Sequence, residues 1–332
     1  MNLTLSKARS LTDWHMVTEE NFDGVLNTIW KEDILVHDFE LSGLDRHKEA
    51  IVSCQIGVPD IGEVFYFPLR HARGTNLAAP HQILEHLWES ILDARVVGKN
   101  WAFDIQRAMA EGLSMPTKSW DEVEAAAVMF NVNEPWLELE SLATQYVNPD
   151  AGKEEKAMKE KIMAEVPFAK ASDYKKYLWY MRPEDVFEYG CADVRDSWAL
   201  HEFYREKRTE REEVAYQDFT DFIRVLFKME ERGMLVDRQD LAERLTGCET
   251  AMSELETEFK GKVARGVNLA SSQQVAKWFG LRHADDLHLS QIAGDRKPVA
   301  DIVLKWRQFA KASGTYLEPL EKYLVKREKI GL

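Results

Sequence analysis

Cysteine is scarce in this chain of 332 residues, and long apolar runs are missing from it. The three cysteines, Cys54, Cys191 and Cys248, lie far apart and form no C-x-x-C pair, which indicates neither a zinc site nor a disulfide framework. No apolar run approaches the roughly 20 residues that cross a bilayer. Residues 1–7 lack the charged and apolar regions of a signal peptide. We therefore expect a cytoplasmic protein without a membrane partner.

Positive charge is also in deficit. The chain has 43 lysines and arginines against 57 aspartates and glutamates, a net charge of −14. Phosphate binding normally uses a basic surface, so this balance argues at first sight against a nucleic-acid partner. The objection is weaker if cations bind a cluster of the acidic residues, because they would present positive charge to a phosphate.

The length suggests two domains, and 45% hydrophobic residues suffice for a sizeable core. Strand-like and helix-like stretches alternate up to residue 98, with strands expected over 34–39, 51–57, 64–67 and 95–98 and a helix over 80–92. This order predicts an α/β fold, with three hairpin-connected strands followed by helix-linked ones. After Trp101 the pattern is almost wholly helical. Helices are expected over 171–180, 183–208, 210–232, 238–262, 271–279 and 299–312, and 152–161 as an exposed helix or a mobile loop.

Four carboxylates and one phenol lie where one metal site can gather them. Asp38 and Glu40 are two residues apart in a strand-like stretch, so both side chains leave the same face. Tyr189 and Asp193 are four apart in a helical stretch and also share a face. Asp104 follows a short apolar run, where strand gives way to helix. Carboxylate oxygens suit hard divalent cations such as Mg²⁺ and Mn²⁺.

The paired acids and Asp104 also have simpler interpretations. Asp38 and Glu40 can be helix-cap or salt-bridged carboxylates, although two acids in an apolar strand are costly to bury unpaired. Asp104 can be an N-terminal helix cap, the commoner use of aspartate at such a turn. The metal interpretation is favoured by their combination.

The helical pair has alternatives of the same kind. Asp193 can pair with Arg195 or Lys207, and Tyr189 can be a core tyrosine whose hydroxyl is satisfied. Their spacing on one helix face favours a shared role in the site.

These segments match three motifs of a known family in order. D-x-E followed by S/T-x-L-D occupies residues 38–45, N-x-x-[FY]-D occupies 100–104, and Y-x-x-x-D occupies 189–193. In this arrangement they resemble the 3′–5′ exonuclease domain of family A (Klenow-type) DNA polymerases, within the DEDD superfamily. The tyrosine is typical of one subclass, since the sister subclass has a histidine where this chain has Glu188.

The resemblance continues beyond the exonuclease motifs. Residues 227–237 resemble the entry into the polymerase module, and 268–275 and 311–317 resemble thumb signatures. This implies a ribonuclease H-like exonuclease domain over residues 1–210, with a mixed sheet flanked by helices, and a helical region over 211–332 that resembles the start of the thumb. No palm or finger motif follows, so we do not expect this chain alone to polymerise DNA.

The resemblance also implies roles for the five side chains. Two divalent ions, Mg²⁺ or Mn²⁺, would be held by Asp38, Glu40, Asp104 and Asp193. Asp38 would bridge both ions, with Glu40 and Asp193 on the nucleophile side and Asp104 acting largely through water. Tyr189 would orient the attacking water, because a phenol with a pKa near 10 is a poor base at neutral pH.

Substrate contacts follow from the same resemblance. Leu44 would wedge against the terminal base, with simple packing as the alternative, and Asn100 would hydrogen-bond the terminal nucleotide. A third, base-stacking aromatic belongs in the 145–175 region, where Phe168 and Tyr174 are candidates.

The implied activity is metal-dependent 3′–5′ DNA exonuclease activity of the proofreading type, which releases mononucleotides. The chain would be either part of a longer family A polymerase or a separate subunit of one, in a bacterial cell or a phage-infected host. Its partners would be a single-stranded or primer 3′ end and, for a separate subunit, a polymerase polypeptide with palm and fingers. A ribonuclease D-like RNA exonuclease keeps the same metal residues, but the 268–275 match argues against it. A non-catalytic polymerase-binding scaffold is the other alternative, against which the four carboxylates argue.

Overall fold

A computed structural model of the chain describes residues 10–43, 45, 49–263 and 266–329. The chain divides into two compact units, Met1–Gly233 and Met234–Leu332. The predicted α/β fold, a mixed sheet flanked by helices and followed by a helical segment, is confirmed. Whether residues 1–210 and 211–332 are separate functional domains stays a prediction. Within the described ranges, no helix combines the length and apolar character that a membrane span requires.

The first unit alternates strands and helices. Its elements within the described residues are β1 (Asp13–Met16), α1 (Phe22–Ile29), β2 (Ile34–Leu41), β3 (Ile51–Val58), β4 (Glu63–Pro68), α2 (Pro80–Asp93), β5 (Arg95–Gly98), α3 (Trp101–Ala110), β6 (Trp120–Glu122), α4 (Val123–Phe130), α5 (Leu139–Tyr146), α6 (Lys153–Glu165), α7 (Pro183–Lys207) and α8 (Glu210–Arg232). A 3-10 helix, Tyr174–Tyr180, precedes α7. The lysine- and glutamate-rich stretch is therefore a helix, α6, and it buries Met158 and Ile162.

The sheet of this unit has the strand order β1-β4-β3-β2-β5-β6 in the part of the chain that the structure describes. As predicted, β2, β3 and β4 pair antiparallel. The helix-linked strand β5 pairs parallel with β2. The two edge strands, β1 and β6, were not expected from the sequence. With four and three residues they are too short to show a period.

Alternate residues of β2 enter two different cores. Leu35 and Phe39 pack into the core on the side of α2 and α3, whereas Val36 belongs to the core that includes α7. His37 lies on the first side, where its Nδ1 accepts a hydrogen bond from Trp101 Nε1 at 2.8 Å. Burial lowers the pKa of His37 to about 3, so it is a neutral packing residue. The alternation directs Asp38 and Glu40 toward α7.

The second unit is helical. Its α-helices within the described residues are α9 (Arg238–Lys262), α10 (Ser272–Phe279), α11 (Asp286–Ser290), α12 (Lys297–Lys311) and α13 (Glu318–Lys329). A 3-10 helix, Gly294–Arg296, precedes α12, and a π-helix, Ala312–Leu317, joins α12 to α13. Asp237 caps α9 by accepting from the N–H groups of Gln239 and Asp240, each at 3.0 Å. Phe259, Val275 and Val303 are among the residues that form a core of its own.

Candidate metal centre

Three of the predicted carboxylates meet on one face of the sheet. Asp38 and Glu40 project from β2, Asp193 projects from α7, and one oxygen of each lies within 4.8 Å of the others. In the β2–β3 register, Asp38 is opposite Gln55 and Glu40 is opposite Ser53. The two-residue spacing therefore places both acids under α7, and their oxygens form a compact group.

Asp104 lies beside this group but contacts the backbone of β2. Its Oδ1 accepts a hydrogen bond from the N–H of Phe39 at 3.1 Å, between Asp38 and Glu40. It does not cap α3, because it lies inside that helix and Asn100 is the residue at the cap position. Burial raises the pKa of Asp104 to about 8; the hydrogen bond from Phe39 opposes this rise, and repulsion from Glu122 adds to it.

The turn from β5 into α3 has an unusual backbone. Asn100 has φ 54° and ψ 40°, a left-handed conformation, and makes no side-chain cap. Glu122, at the end of β6, accepts instead from the N–H groups of Asn100 and Trp101, at 2.5 and 2.9 Å. This contact fixes the start of α3, and with it the position of Asp104. The side chain of Asn100, the predicted nucleotide contact, lines the cavity described below.

Tyr189 is buried one helical turn before Asp193 on α7. The neighbouring phenol of Tyr189 lowers the pKa of Asp193, but the stronger effects of burial and of Asp38 raise it well above its ordinary value. Burial, then Asp193 and Glu40, raises the pKa of Tyr189, so its phenol stays protonated. Both alternative partners of Asp193 have other contacts: Arg195 binds Asp196 and Glu154, and Lys207 lies over the ring of Phe203.

The clustered carboxylates repel one another. Burial, followed by Asp38 and Asp193, raises the pKa of Glu40 well above its ordinary value. Burial and then Asp104 do the same to Asp38. Glu40 is 5% exposed, and its Oε1 has no hydrogen-bond partner among the described residues. An unpartnered buried carboxylate oxygen is costly, and a hard divalent cation is the ligand that oxygen clusters of this kind accommodate.

The group opens into a cavity of about 730 Å³, within the roughly 300–1,000 Å³ of small-ligand sites. The lining residues that carry charge or could contact a base are Asp38, Glu40, Lys99, Asn100, Phe103, Asp104, Glu138, Glu140, Glu155, Asp173, Tyr174, Lys175, Lys176, Tyr189 and Asp193. Leu44, the other predicted substrate contact, lies outside the described residues.

The rim of the cavity contains an ion pair that the sequence did not reveal. Lys175, on the 3-10 helix, lies with its Nζ 3.3 Å from Glu155 Oε1 of α6. Tyr174, one of the two candidate stacking aromatics, lines the cavity and donates its hydroxyl to Glu155. Phe168, the other candidate, is exposed and contacts the ring of Tyr177. The charge-rich sequence of α6 was the available signal for Glu155, but such patterns usually indicate a solvated helix face.

Comparison with known proteins gives a weak but extended similarity. No family model matches the chain. It is 22% identical over 330 residues to DNA polymerase I of Borreliella burgdorferi, covering 95% of this chain and 34% of that protein. The chain is thus weakly homologous to DNA polymerase I. It spans about a third of that relative's length.

Solved structures show the fold. The POL domain of Pol1 from M. smegmatis, in complex with DNA primer-template and dNTP, superimposes with a TM-score of 0.60 at 14% identity. The match covers 91% of this chain and 49% of that chain. The apo form of a nuclease matches 68% of this chain and 98% of its own, with a TM-score of 0.41 and 12% identity.

Proposed function

We propose that this chain is a metal-dependent 3′–5′ exonuclease that acts on DNA in association with a family A polymerase. The observation that carries the proposal is the set of three carboxylates with oxygens within 4.8 Å of one another, one of which is buried without a partner. The weak homology to DNA polymerase I supports a role in DNA replication. The DNA bound to the Pol1 domain supports DNA as the substrate class.

The donor set fits divalent ions. Asp38, Glu40 and Asp193 would hold them, and Asp104 would act from the neighbouring helix. Bound Mg²⁺ or Mn²⁺ would activate a water and stabilise charge on the phosphate and on the leaving oxygen. The hydroxyl of Tyr189 would donate a hydrogen bond that orients this water. Because the pKa of Tyr189 is raised, its phenol stays protonated at neutral pH and can act as a donor. Asn100 would hydrogen-bond the terminal nucleotide from the wall of the cavity.

The decisive experiment is cleavage of end-labelled oligonucleotides. Single-stranded DNA labelled at its 5′ end should shorten one nucleotide at a time from a free 3′ hydroxyl, and a blocked 3′ end should stop the reaction. Unpaired ends should be cut faster than paired ones, because less unpairing energy is spent. Faster attack on RNA would favour the ribonuclease D-like alternative.

A pair of variants tests the metal residues in the same assay. Asp38→Ala should lower the rate by several orders of magnitude without unfolding the protein, and chelator should abolish activity of the unmodified chain. Asp60→Ala, on an exposed turn, is the matched control and should cleave normally. A chelator-resistant nuclease, or an active Asp38→Ala protein, would refute the assignment and favour the scaffold alternative or another site.

A further inference from the structure

A lysine reaches over the acidic cavity from its rim. The Nζ of Lys175 lies 3.3 Å from Glu155 Oε1 and 5.5 Å from the centre of the Tyr189 ring. Its side chain is 53% exposed, so the ammonium remains open to the cavity. Lys175 is therefore placed beside the tyrosine of the candidate centre while its charge is accessible to a ligand.

Glu155 holds this rim in place through two contacts. Its Oε1 receives the hydroxyl of Tyr174 and the ammonium of Lys175. The ring of Tyr174 is buried, which anchors the 3-10 helix that carries both residues. One carboxylate thus orients two consecutive side chains at the cavity.

Apart from Lys175, the charges that line the cavity disfavour the binding of a phosphodiester. Within the described residues that line it, acids outnumber lysines: the acids are Asp38, Glu40, Asp104, Glu138, Glu140, Glu155, Asp173 and Asp193, and the lysines are Lys99, Lys175 and Lys176. Bound cations would offset the carboxylates at the centre, but the rim acids would still repel an incoming phosphate. A protein cation near the centre is needed to attract it.

The lysines differ in their surroundings. Lys99 is 24% exposed, and its Nζ lies 2.9 Å from Glu124 Oε2. Lys176 pairs with Asp173 at 3.3 Å, within its own segment. Of the described lysines that line the cavity, Lys175 is the one stacked on the ring of Tyr189. Although burial opposes it, Asp193 and Glu155 raise the pKa of Lys175, so the amine stays charged.

We propose that Lys175 is a substrate-binding residue that takes a phosphate oxygen of the terminal nucleotide, releasing Glu155 to do so. This inference rests on the proposed exonuclease function and extends it. Glu155 pairs with the ammonium before substrate enters and competes with phosphate for it, and Tyr174, which donates to the same carboxylate, is a positioning residue. A lysine suits the role, because its ammonium is a compact point charge on a flexible stem that can move from carboxylate to phosphate.

The test compares three lysine variants. Lys175→Met keeps the apolar stem and removes the charge, and Lys175→Arg keeps the charge. Lys156→Met is the matched control, since Lys156 lies on α6, is 78% exposed and pairs with Glu160. Binding of a fluorescent single-stranded DNA is measured by anisotropy in EDTA at several salt concentrations. Steady-state KM and kcat are then measured with Mg²⁺.

Lys175→Met should weaken DNA binding and raise KM by roughly 10- to 100-fold, the range for one hydrogen bond to a charged group. The slope of log affinity against log salt should fall by about 0.7, the value for one phosphate contact on a single strand. Lys175→Arg should restore most of the DNA affinity and most of the salt slope. Lys156→Met should change neither the affinity nor the slope.

Glu155→Gln provides a second test with the opposite sign. It keeps an acceptor for Tyr174 but removes the carboxylate that competes with phosphate for Lys175. Affinity for DNA should therefore rise. If the pair were only a structural ion pair, Glu155→Gln and Lys175→Met would have effects in the same direction, accompanied by a lower melting temperature.

The outcomes separate this inference from the function on which it rests. Suppose that the unmodified protein is active and that Lys175→Met and Lys156→Met have the same DNA affinity and the same salt slope. That result would overturn the role of Lys175 and leave the proposed exonuclease activity standing. Unmodified protein that binds DNA through Lys175 but never cleaves it would overturn the exonuclease and keep the phosphate contact.

Discussion

The side-chain amide of Gln55 lies where a side chain at position 190 would begin. A Cβ on Gly190 would be 2.8 Å from Gln55 Nε2 and 3.0 Å from its Cδ. Gln55 is fully buried on β3, opposite Asp38. This close approach of α7 to the sheet brings Asp193 within reach of the two carboxylates of β2.

Gly190→Ala should therefore disturb the site as well as the packing. Overpacking of this kind costs about 1–3 kcal/mol in unfolding free energy. A shift of α7 by about 1 Å should lower nuclease activity by roughly 100-fold. Urea denaturation and the cleavage assay measure the two effects.

Two further variants separate crowding from other causes. Adding Gln55→Ala to Gly190→Ala should restore part of the activity, because it removes the side chain that the new Cβ would meet. Gly247→Ala, in α9, is the control: a Cβ there meets nothing within 4 Å, so stability should be equal or higher. A fully active Gly190→Ala protein would show that the Gln55 side chain gives way without moving α7, and would contradict the prediction.

Two substitutions separate the contribution of Asp104 to stability from its contribution to activity. Asp104→Ala leaves the buried N–H of Phe39 without an acceptor and should lower the unfolding free energy by about 1–3 kcal/mol. Asp104→Asn keeps an acceptor of the same shape and should fold with near-normal stability. Both variants should lose most nuclease activity, because neither can supply a carboxylate oxygen to a bound cation. Equal stability of the two variants in urea would contradict the hydrogen-bond role.

Glu40→Gln should reverse its effect on stability when metal is added. In EDTA it should be at least as stable as the unmodified protein, since it removes a buried carboxyl whose pKa is raised. With excess Mn²⁺ the unmodified protein should gain about 2.7 kcal/mol at a concentration 100 times the Kd, whereas the variant should gain little. Glu254→Gln, an exposed residue of α9, should respond to Mn²⁺ like the unmodified protein. Thermal melting with and without Mn²⁺ measures which of the two proteins is more stable in each condition.

His71 should make the fold sensitive to mild acid. It is buried between the hydroxyl of Tyr66, at 2.9 Å from Nε2, and the carbonyl of Met181, at 3.1 Å from Nδ1. Burial lowers its pKa to about 4, whereas the unfolded chain takes up the proton near pH 6.5. The unfolded state therefore binds the proton first, and stability contributed by neutral His71 is present above pH 6.5 and lost as pH falls toward 4.

Between pH 8 and pH 5.5 this linkage amounts to a loss of about 1.4 kcal/mol. His71→Gln cannot take up the proton, so its own loss over that interval should be smaller by this amount, whatever its stability at pH 8. His86→Gln, which replaces an exposed histidine of α2, is the matched control. Parallel pH profiles for His71→Gln and the unmodified protein, from urea denaturation, would rule the linkage out.

The elements that the sequence predicted are those whose patterns are local. Asp38 and Glu40 share a face because any strand separates neighbours that way, and Tyr189 and Asp193 share a face because any helix does. The antiparallel order of β2, β3 and β4 followed from short connections between apolar runs. These features needed no knowledge of distant partners.

The features that escaped prediction depend on distant residues. Strand β6 has only three residues and contains Asp121 and Glu122, an improbable composition for a buried strand. Arg95 binds Asp121 across 26 positions of sequence, and Glu122 is satisfied by the backbone at Asn100. Lys175 likewise meets Glu155 from a separate helix. No single-residue pattern contains such pairings.

The order of the three carboxylates along the chain has a consequence for the newly made protein. Asp193 follows Asp38 by 155 positions (193 − 38), and α7 must be complete before it can pack on the sheet. At about 5–20 residues per second, a ribosome needs roughly 8–31 s to pass from one to the other. Chemistry that depends on all three carboxylates therefore cannot start before Asp193 has been synthesised and α7 has packed on the sheet.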